Sequence, residues 1–288
     1  MRTTVLLTDS ACDLSPELEK EYGIDILPFH ITVDGVGYTE RVDFDCEQYY
    51  DMLTKCKEIP KTAQITSFRY LEKFEEYAEN GVKNVICVTI NSGGSNTHQS
   101  ALMARDEFAN EHPESDMHIY IVDSHSYSMV YGDALIEAAK KLDGGADVKS
   151  VLDYLEDHFA CAEVVLSMYT LNFAKKSGRI SAAAAFAGEL LGLKPIITII
   201  DGVTKTVSKV RGDNAVMPAI VAHAQKNMEP GCEYIVGTTD KDNGKMLSTL
   251  CKKAFGYPPK RIFLLGAAVA TNTGPNAVAM VYRGKPRR

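Results

Sequence analysis

Three short polar segments carry most of the residue types that could do chemistry: Thr8-Asp9-Ser10, Asn91 to Thr97 (NSGGSNT) and Asp123-Ser124. Each closes an apolar run of β character, and open α/β sheets hold their ligands at the carboxyl ends of strands. The middle segment is the most informative. Its glycines let the backbone approach a ligand, and it runs straight into a helical pattern whose first N–H groups can meet an anion. A negatively charged head group near Ser95 and Thr97 fits that chemistry. The same residues also suit an ordinary capped turn, with Ser95 or Thr97 as N-cap. The segment lacks the GK[ST] of a phosphate-binding P-loop.

Two further elements could contribute. In Lys61 to Ser67 (KTAQITS), Ser67 is placed to cap the helix that follows, whereas Thr62 has no such role and is freer to face a ligand. Ser177-Gly178-Arg179 sets an arginine at a glycine turn before an alanine-rich helix, where it can pair with a carboxylate or stay at the surface. The histidines show no metal-ligand spacing, so no metal site is expected. Nor is there a GxSxG elbow. An enzyme of acyl or phosphoryl transfer using Ser95 and His98 is a second reading, but no third group is marked to orient the base.

These groups must be positioned by alternating strands and helices. Thr4 to Thr8 and His118 to Val122 read as strands, and Asn84 to Ile90 as a buried one. Helices follow from Pro16, capped by Ser15, and from Thr97 to Asn110, and another extends to about Lys141. Such units imply a parallel sheet with right-handed crossovers. Ile24 to Val33 reads as one strand, turning at Asp34-Gly35, and a helix spans about Asp45 to Lys57. Asp143 to Asp147 (DGGAD) marks a linker. Beyond it come a strand at Glu163 to Ser167, a helix at Ser181 to Leu190 and a hairpin at Asp201-Gly202. Strands at Tyr234 to Thr238, Arg261 to Ala268 and Ala277 to Tyr282 complete a mixed sheet. The fold class is therefore α/β with two domains: an N-terminal parallel-sheet domain, residues 1–160, and a C-terminal mixed-sheet domain, residues 161–288.

A net charge of −7 argues against binding nucleic acid or an anionic membrane surface, since both need a basic face. No apolar run reaches the roughly 20 residues of a membrane span, so no stable insertion is expected. The seven cysteines contain no CxxC pair and are odd in number, and MRTTVLLTDS does not read as a signal peptide. A cytoplasmic location is expected.

Several segments, taken in order, resemble one family. TDSACDLSPEL (Thr8 to Leu18) and IDILPFHITVDG resemble the opening of DegV proteins. Lys61-Thr62-Ala63-Gln64 resembles their T-S-Q-P-S loop, and NSGGSNTHQSA (Asn91 to Ala101) resembles S-S-x-x-S-G-T-x-x-S-A. VDSHSYSMVYG, SGRIS, LLGLKPIITIIDG and TGPN are similar to later family segments. The resemblance implies two α/β domains with one long-chain fatty acid, such as palmitate, stearate or oleate, held between them, and no cofactor. It implies that Thr62 and Ser95 bond the carboxylate, with Thr97 beside them and Arg179 as a nearby cation. It further implies a carrier without chemistry of its own, the kind that presents fatty acid to a separate ATP-dependent fatty-acid kinase for phospholipid synthesis. Lys209 and Arg211, in SKVRGD, match the basic segment facing that kinase. Asn272 stands where the family usually has histidine, a substitution that keeps a hydrogen-bond donor but removes a proton-carrying group. Phe29, Ile31, Met168, Phe173, Phe186, Leu190 and Leu191 are candidates to line an apolar tunnel or to fill ordinary core.

Overall fold

The computed structural model describes residues 3–181 and 192–286. The expected helix at Ser181 to Leu190, and with it Phe186, Leu190 and Leu191, lies almost wholly outside the described residues.

The chain divides into two compact units, one of residues 1–30 and 62–159, the other of 31–61 and 160–288. The first unit holds a four-stranded sheet of order β2-β1-β6-β7. Its strands are β1 (Thr4–Asp9), β2 (Ile24–Leu27), β6 (Asn84–Thr89) and β7 (His118–Asp123), and every pairing is parallel. Consecutive strand residues Leu6-Leu7 and Val85 to Val88 are all buried, so both faces are covered. The covering helices are α1 (Pro16–Tyr22), α3 (Ser67–Glu79), α4 (Thr97–Glu111) and α5 (Met129–Asp143), with α3 packed on α4 and α1 on α5. Ser15 caps α1 as expected, accepting from Leu18 N–H at 3.4 Å. Thr66, not Ser67, caps α3, because its hydroxyl is the one that accepts from Arg69 N–H.

The second unit holds a six-stranded mixed sheet of order β10-β9-β8-β13-β11-β12. Its strands are β8 (Ala162–Met168), β9 (Leu193–Ile200), β10 (Val203–Arg211), β11 (Tyr234–Thr238), β12 (Arg261–Leu264) and β13 (Ala277–Arg283). Only β11–β12 is a parallel pair. The hairpin at Asp201-Gly202 forms with both residues at positive φ, 49° and 73°, which suits a type I′ turn. Helices α8 (Val216–Asn227) and α9 (Lys241–Phe255) bury Ile220, Val221, Leu247 and Cys251 against Val165, Val236 and Met280 of the sheet.

Three readings from sequence need correction. Ile24 to Val33 is two strands, β2 and β3 (His30–Val33), because Pro28 has no N–H to continue a ladder. β3 instead enters a three-stranded sheet of order β4-β3-β5, with β4 (Val36–Thr39) and β5 (Lys61–Ala63). The strand from Arg261 stops at Leu264, and Ala267–Thr273 is a helix, α10, rather than its continuation. Residues 31–61 were placed in the first domain but belong to the second unit. The cause is packing: Ile31, Val33, Phe44, Tyr49 and Leu53 form one core with Ala267 and Ala270. Helix α2 (Cys46–Lys55), started by an Asp45/Gln48 capping box, anchors this core. Its Tyr49 hydroxyl bonds Thr271, its Tyr50 hydroxyl donates to the Leu265 carbonyl, and the Glu40 carboxylate accepts from Ala268 N–H at 2.9 Å.

Candidate functional site

Because every pairing in the four-stranded sheet is parallel, the carboxyl ends of its strands lie on one edge. Asp9, Thr89 and Asp123 end β1, β6 and β7 there. Asp9 is fully buried, and its carboxylate accepts from Ala11 N–H (3.2 Å), Tyr131 hydroxyl (2.6 Å) and Ile90 N–H (2.7 Å). It therefore ties the start of the 91–96 loop to β1 and α5. Asp123 accepts from Ser92 N–H at 3.2 Å and His125 N–H at 2.9 Å, and its second oxygen lies 3.3 Å from His125 Nδ1. Two carboxylates of the edge are thus structural anchors for the loop.

On this frame sit the hydroxyls. Ser95 Oγ accepts from Thr97 N–H at 3.2 Å and lies 2.9 Å from Thr97 Oγ1. Thr97 Oγ1 accepts in turn from Ile65 N–H at 3.4 Å, and Ser100 Oγ accepts from Gln64 Nε2 at 3.3 Å. These bonds hold the Thr62 segment against the start of α4. The two hydroxyls of Ser95 and Thr97 own two protons, and their mutual bond uses one. Thr97 is buried while Ser95 is half-buried, so the arrangement with an outward donor has Thr97 donating to Ser95 and Ser95 O–H left over. Thr62, half-buried in β5, makes no side-chain hydrogen bond among the described residues.

Asn96 is the N-cap residue of α4 and its side chain makes no cap bond, while Ser95 Oγ meets the first amide of the helix, Thr97 N–H. The start of this 15-residue helix is its positive end, where first-turn N–H groups can meet an anion. Two spare hydroxyl donors beside a helix start together suit an oxyanion.

His98 points to a different use. Its Nδ1 lies 2.8 Å from Thr89 Oγ1, and it shares no hydrogen bond with Ser95. Burial holds its pKa below the usual histidine value, against the opposing pull of Asp123. The Ser95–His98 dyad of a transferase is thus not assembled. Among the described residues, one group brings three possible metal-ligand atoms within 4.8 Å of one another: Glu75, Glu111 and His112. It lies toward the C-terminal ends of α3 and α4, the opposite ends from the hydroxyls.

The remaining head-group and partner candidates, Arg179, Asn272, Lys209 and Arg211, fall in the second unit. Arg179 is exposed after α7 (Asn172–Ser177), and its Nη1 donates to the Ser177 carbonyl at 2.9 Å. Asn272, on α10, spends one amide proton on the Ala268 carbonyl at 2.8 Å, keeping one N–H and its oxygen. Helices α7 and α10 pack together, with the Phe173 ring so near Gly274 that a Cβ there would lie 2.7 Å from it. Lys209 and Arg211 are exposed on β10, an edge strand of the sheet. Phe29 and Met168 are buried, and Ile31 belongs to the α2 core. No helix among the described residues is long and apolar enough to cross a membrane.

This is the architecture of a two-unit α/β protein with a polar edge of loops, and the comparisons place it. The family model described as "Uncharacterised protein, DegV family" matches residues 3–285, so the chain belongs to the DegV family. The DegV domain-containing protein CPE0304 of Clostridium perfringens is 28% identical over 96% of this chain and 97% of its own. A stearic acid-binding protein from Eubacterium ventriosum has a TM-score of 0.87 at 25% identity, covering 98% of each chain. The fatty acid kinase B3 protein of Streptococcus pneumoniae, solved loaded with linoleic acid, shares the fold: TM-score 0.84 at 20% identity, covering 99% of this chain and 100% of that one.

Proposed function

We propose that this chain binds one long-chain fatty acid, holding the carboxylate on Thr62, Ser95 and the start of α4 and the tail in an apolar tunnel. The observation that carries this reading is the start of α4, where Asn96 makes no side-chain cap bond, beside the Ser95–Thr97 hydroxyl pair with a proton to spare. A tail of about 16 methylenes, at roughly 0.8 kcal/mol each, gains on the order of 12 kcal/mol gross on burial. Association and ordering consume much of that, so the tail supplies affinity and the head supplies register. A desolvated carboxylate is costly unless donors meet it, which is what the hydroxyls and helix amides offer. Arg179 and Asn272 are further candidates for head-group contact.

The chain is in this reading a carrier that presents its fatty acid to a separate ATP-dependent kinase. The likeness to the kinase B3 protein and the exposed Lys209 and Arg211 support that role. Asn272 cannot carry a proton, so any proton movement that accompanies phosphoryl transfer to the carboxylate falls to another group.

Lipid extracted from the purified protein and weighed by mass spectrometry tests the proposal. Co-purified acids of about 14 to 18 carbons are expected for such a tail. Ser95→Ala is expected to weaken palmitate binding by about 1–3 kcal/mol, since a charged acceptor loses its donor. A lipid-free protein that neither takes up palmitate nor responds to Ser95→Ala would end this reading.

A further inference from the structure

A carboxylate anchor works only if the loop that carries it keeps one shape. We infer that Tyr127 is the positioning residue for Ser95, acting through Asn91 and Gly94, an inference that rests on the fatty-acid reading of the site.

Asn91 organises the loop. Buried at 4% exposure, it donates its own N–H to the Ser126 carbonyl at 2.9 Å. Its carbonyl accepts from Gly94 N–H (3.0 Å) and Ser95 N–H (3.2 Å), and its Oδ1 accepts from Gly93 N–H (3.2 Å). With Oδ1 turned inward, Nδ2 faces the Tyr127 hydroxyl and donates to it at 2.8 Å. The phenol therefore fixes the Asn91 side-chain amide, which holds Gly93 N–H, while the main-chain carbonyl of the same residue holds Gly94 and Ser95.

The ring also explains a glycine. Gly94 does not adopt a positive φ, so its backbone conformation does not demand glycine. Space does: a Cβ at Gly94 would lie 2.3 Å from the Tyr127 hydroxyl oxygen and 2.9 Å from Cε1. At Gly93 the nearest atom would be 3.5 Å away, an ordinary contact, so the two glycines of the loop have different roles. Tyr127 itself sits on a rigid base. Ser128 holds φ 62° and ψ −149°, a costly conformation for a residue with a side chain. It is secured by its N–H on the Ala11 carbonyl at 2.9 Å and its hydroxyl on the Asp13 carboxylate. Ser124 Oγ braces the same turn through the N–H and carbonyl of Ser126. The neighbouring βα loop thus presents a fixed aromatic edge, and the Ser95 loop is moulded to it.

The test compares palmitate with hexadecanol, which has the same chain length and no carboxylate, by displacement of a fluorescent fatty acid from the full chain. Tyr127→Phe keeps the ring and removes only the hydroxyl. It is expected to weaken palmitate by about tenfold, the scale of one lost bond to a polar anchor, and to leave hexadecanol unchanged. Gly94→Ala is expected to weaken palmitate by at least that factor, while Gly93→Ala binds as the parent does. In a Tyr127→Ala background, Gly94→Ala should cost nothing further, because the obstructing ring is gone. Equal losses for palmitate and hexadecanol would make Tyr127 a general packing residue and overturn the inference. So would full palmitate affinity in Tyr127→Phe and Tyr127→Ala; if Ser95→Ala still weakened binding, the carboxylate site would stand without Tyr127. Were Ser95→Ala also silent, the fatty-acid site and the inference would fall together.

Discussion

The two units use sheet geometry differently. In the first, four parallel strands bring every loop after a strand to the same edge, so Asp9, Thr89 and Asp123 converge although they are far apart in sequence. The interior of that edge is polar but satisfied: Asp9, Ser10, Thr89, Ser124 and Ser126 are all buried. In the second unit the antiparallel pairings send successive turns to opposite ends. Its core of Val165, Ile196, Ile220, Val236, Leu247 and Met280 is apolar. Parallel topology concentrates chemistry, and mixed topology builds a scaffold with an exposed basic edge.

Removing a buried anchor from each unit should expose this contrast most strongly. Asp9→Ala orphans three donors at once and is expected to destabilise the fold by on the order of 4 kcal/mol in urea titrations. Its counterpart in the second unit, Thr271→Val, takes away the partner of the Tyr49 hydroxyl and one bond to the Ala267 carbonyl. About 1–2 kcal/mol is expected there, and equal losses would erase the distinction between a polar edge and an apolar scaffold. Thr62→Val keeps the shape and deletes a hydroxyl with no internal partner. Fatty-acid affinity should fall by about 1 kcal/mol at unchanged stability; a stability loss instead would make Thr62 part of the framework.

A smaller effect concerns pH. His98 is held neutral by burial, with its folded pKa below the unfolded value of 6.5. Between those two values the unfolded chain binds the proton more readily, so stability rises with pH. The contribution is complete above about pH 6.5 and is lost as pH falls towards the folded value. His98→Gln should flatten that slope between pH 5 and pH 7.5 in urea midpoints, and an unchanged slope would assign it to another group. Smallest of all, Lys209→Glu with Arg211→Glu should change stability and palmitate affinity by no more than about 0.5 kcal/mol. Acyl-phosphate formation with a partner kinase should slow, and an undiminished rate would remove this edge from the proposed docking surface.

Much of the concentrating edge is legible in the sequence, because strand, polar loop and helix follow one another locally. Asn91 to Thr97 stands out by composition, and the turns at Asp34-Gly35 and Asp201-Gly202 announce their positive φ values. What escapes is set by distant partners. Ser95 could be a cap by residue type, and only the fold shows Asn96 in that position without a side-chain bond. Tyr127 carries no local mark of its role, since its partners lie some 33 to 36 residues earlier. The adjacent glycines Gly93-Gly94 were the available signal, but nothing nearby says which one is sterically required. The short helix α10 follows β12 without a polar break: Leu265-Gly266-Ala267-Ala268 reads as more strand until the α2 core claims it.

That core has a consequence for how the protein is made. Residues 31–61 emerge early during synthesis, yet Tyr49 is bonded to a residue 222 positions later. At about 5–20 residues per second, some ten to forty seconds separate the two on a ribosome. Through that interval Phe44, Tyr49 and Leu53 lack the surface that buries them, so nascent chains offer chaperones a greasy, amphipathic helix long before the fold can close over it.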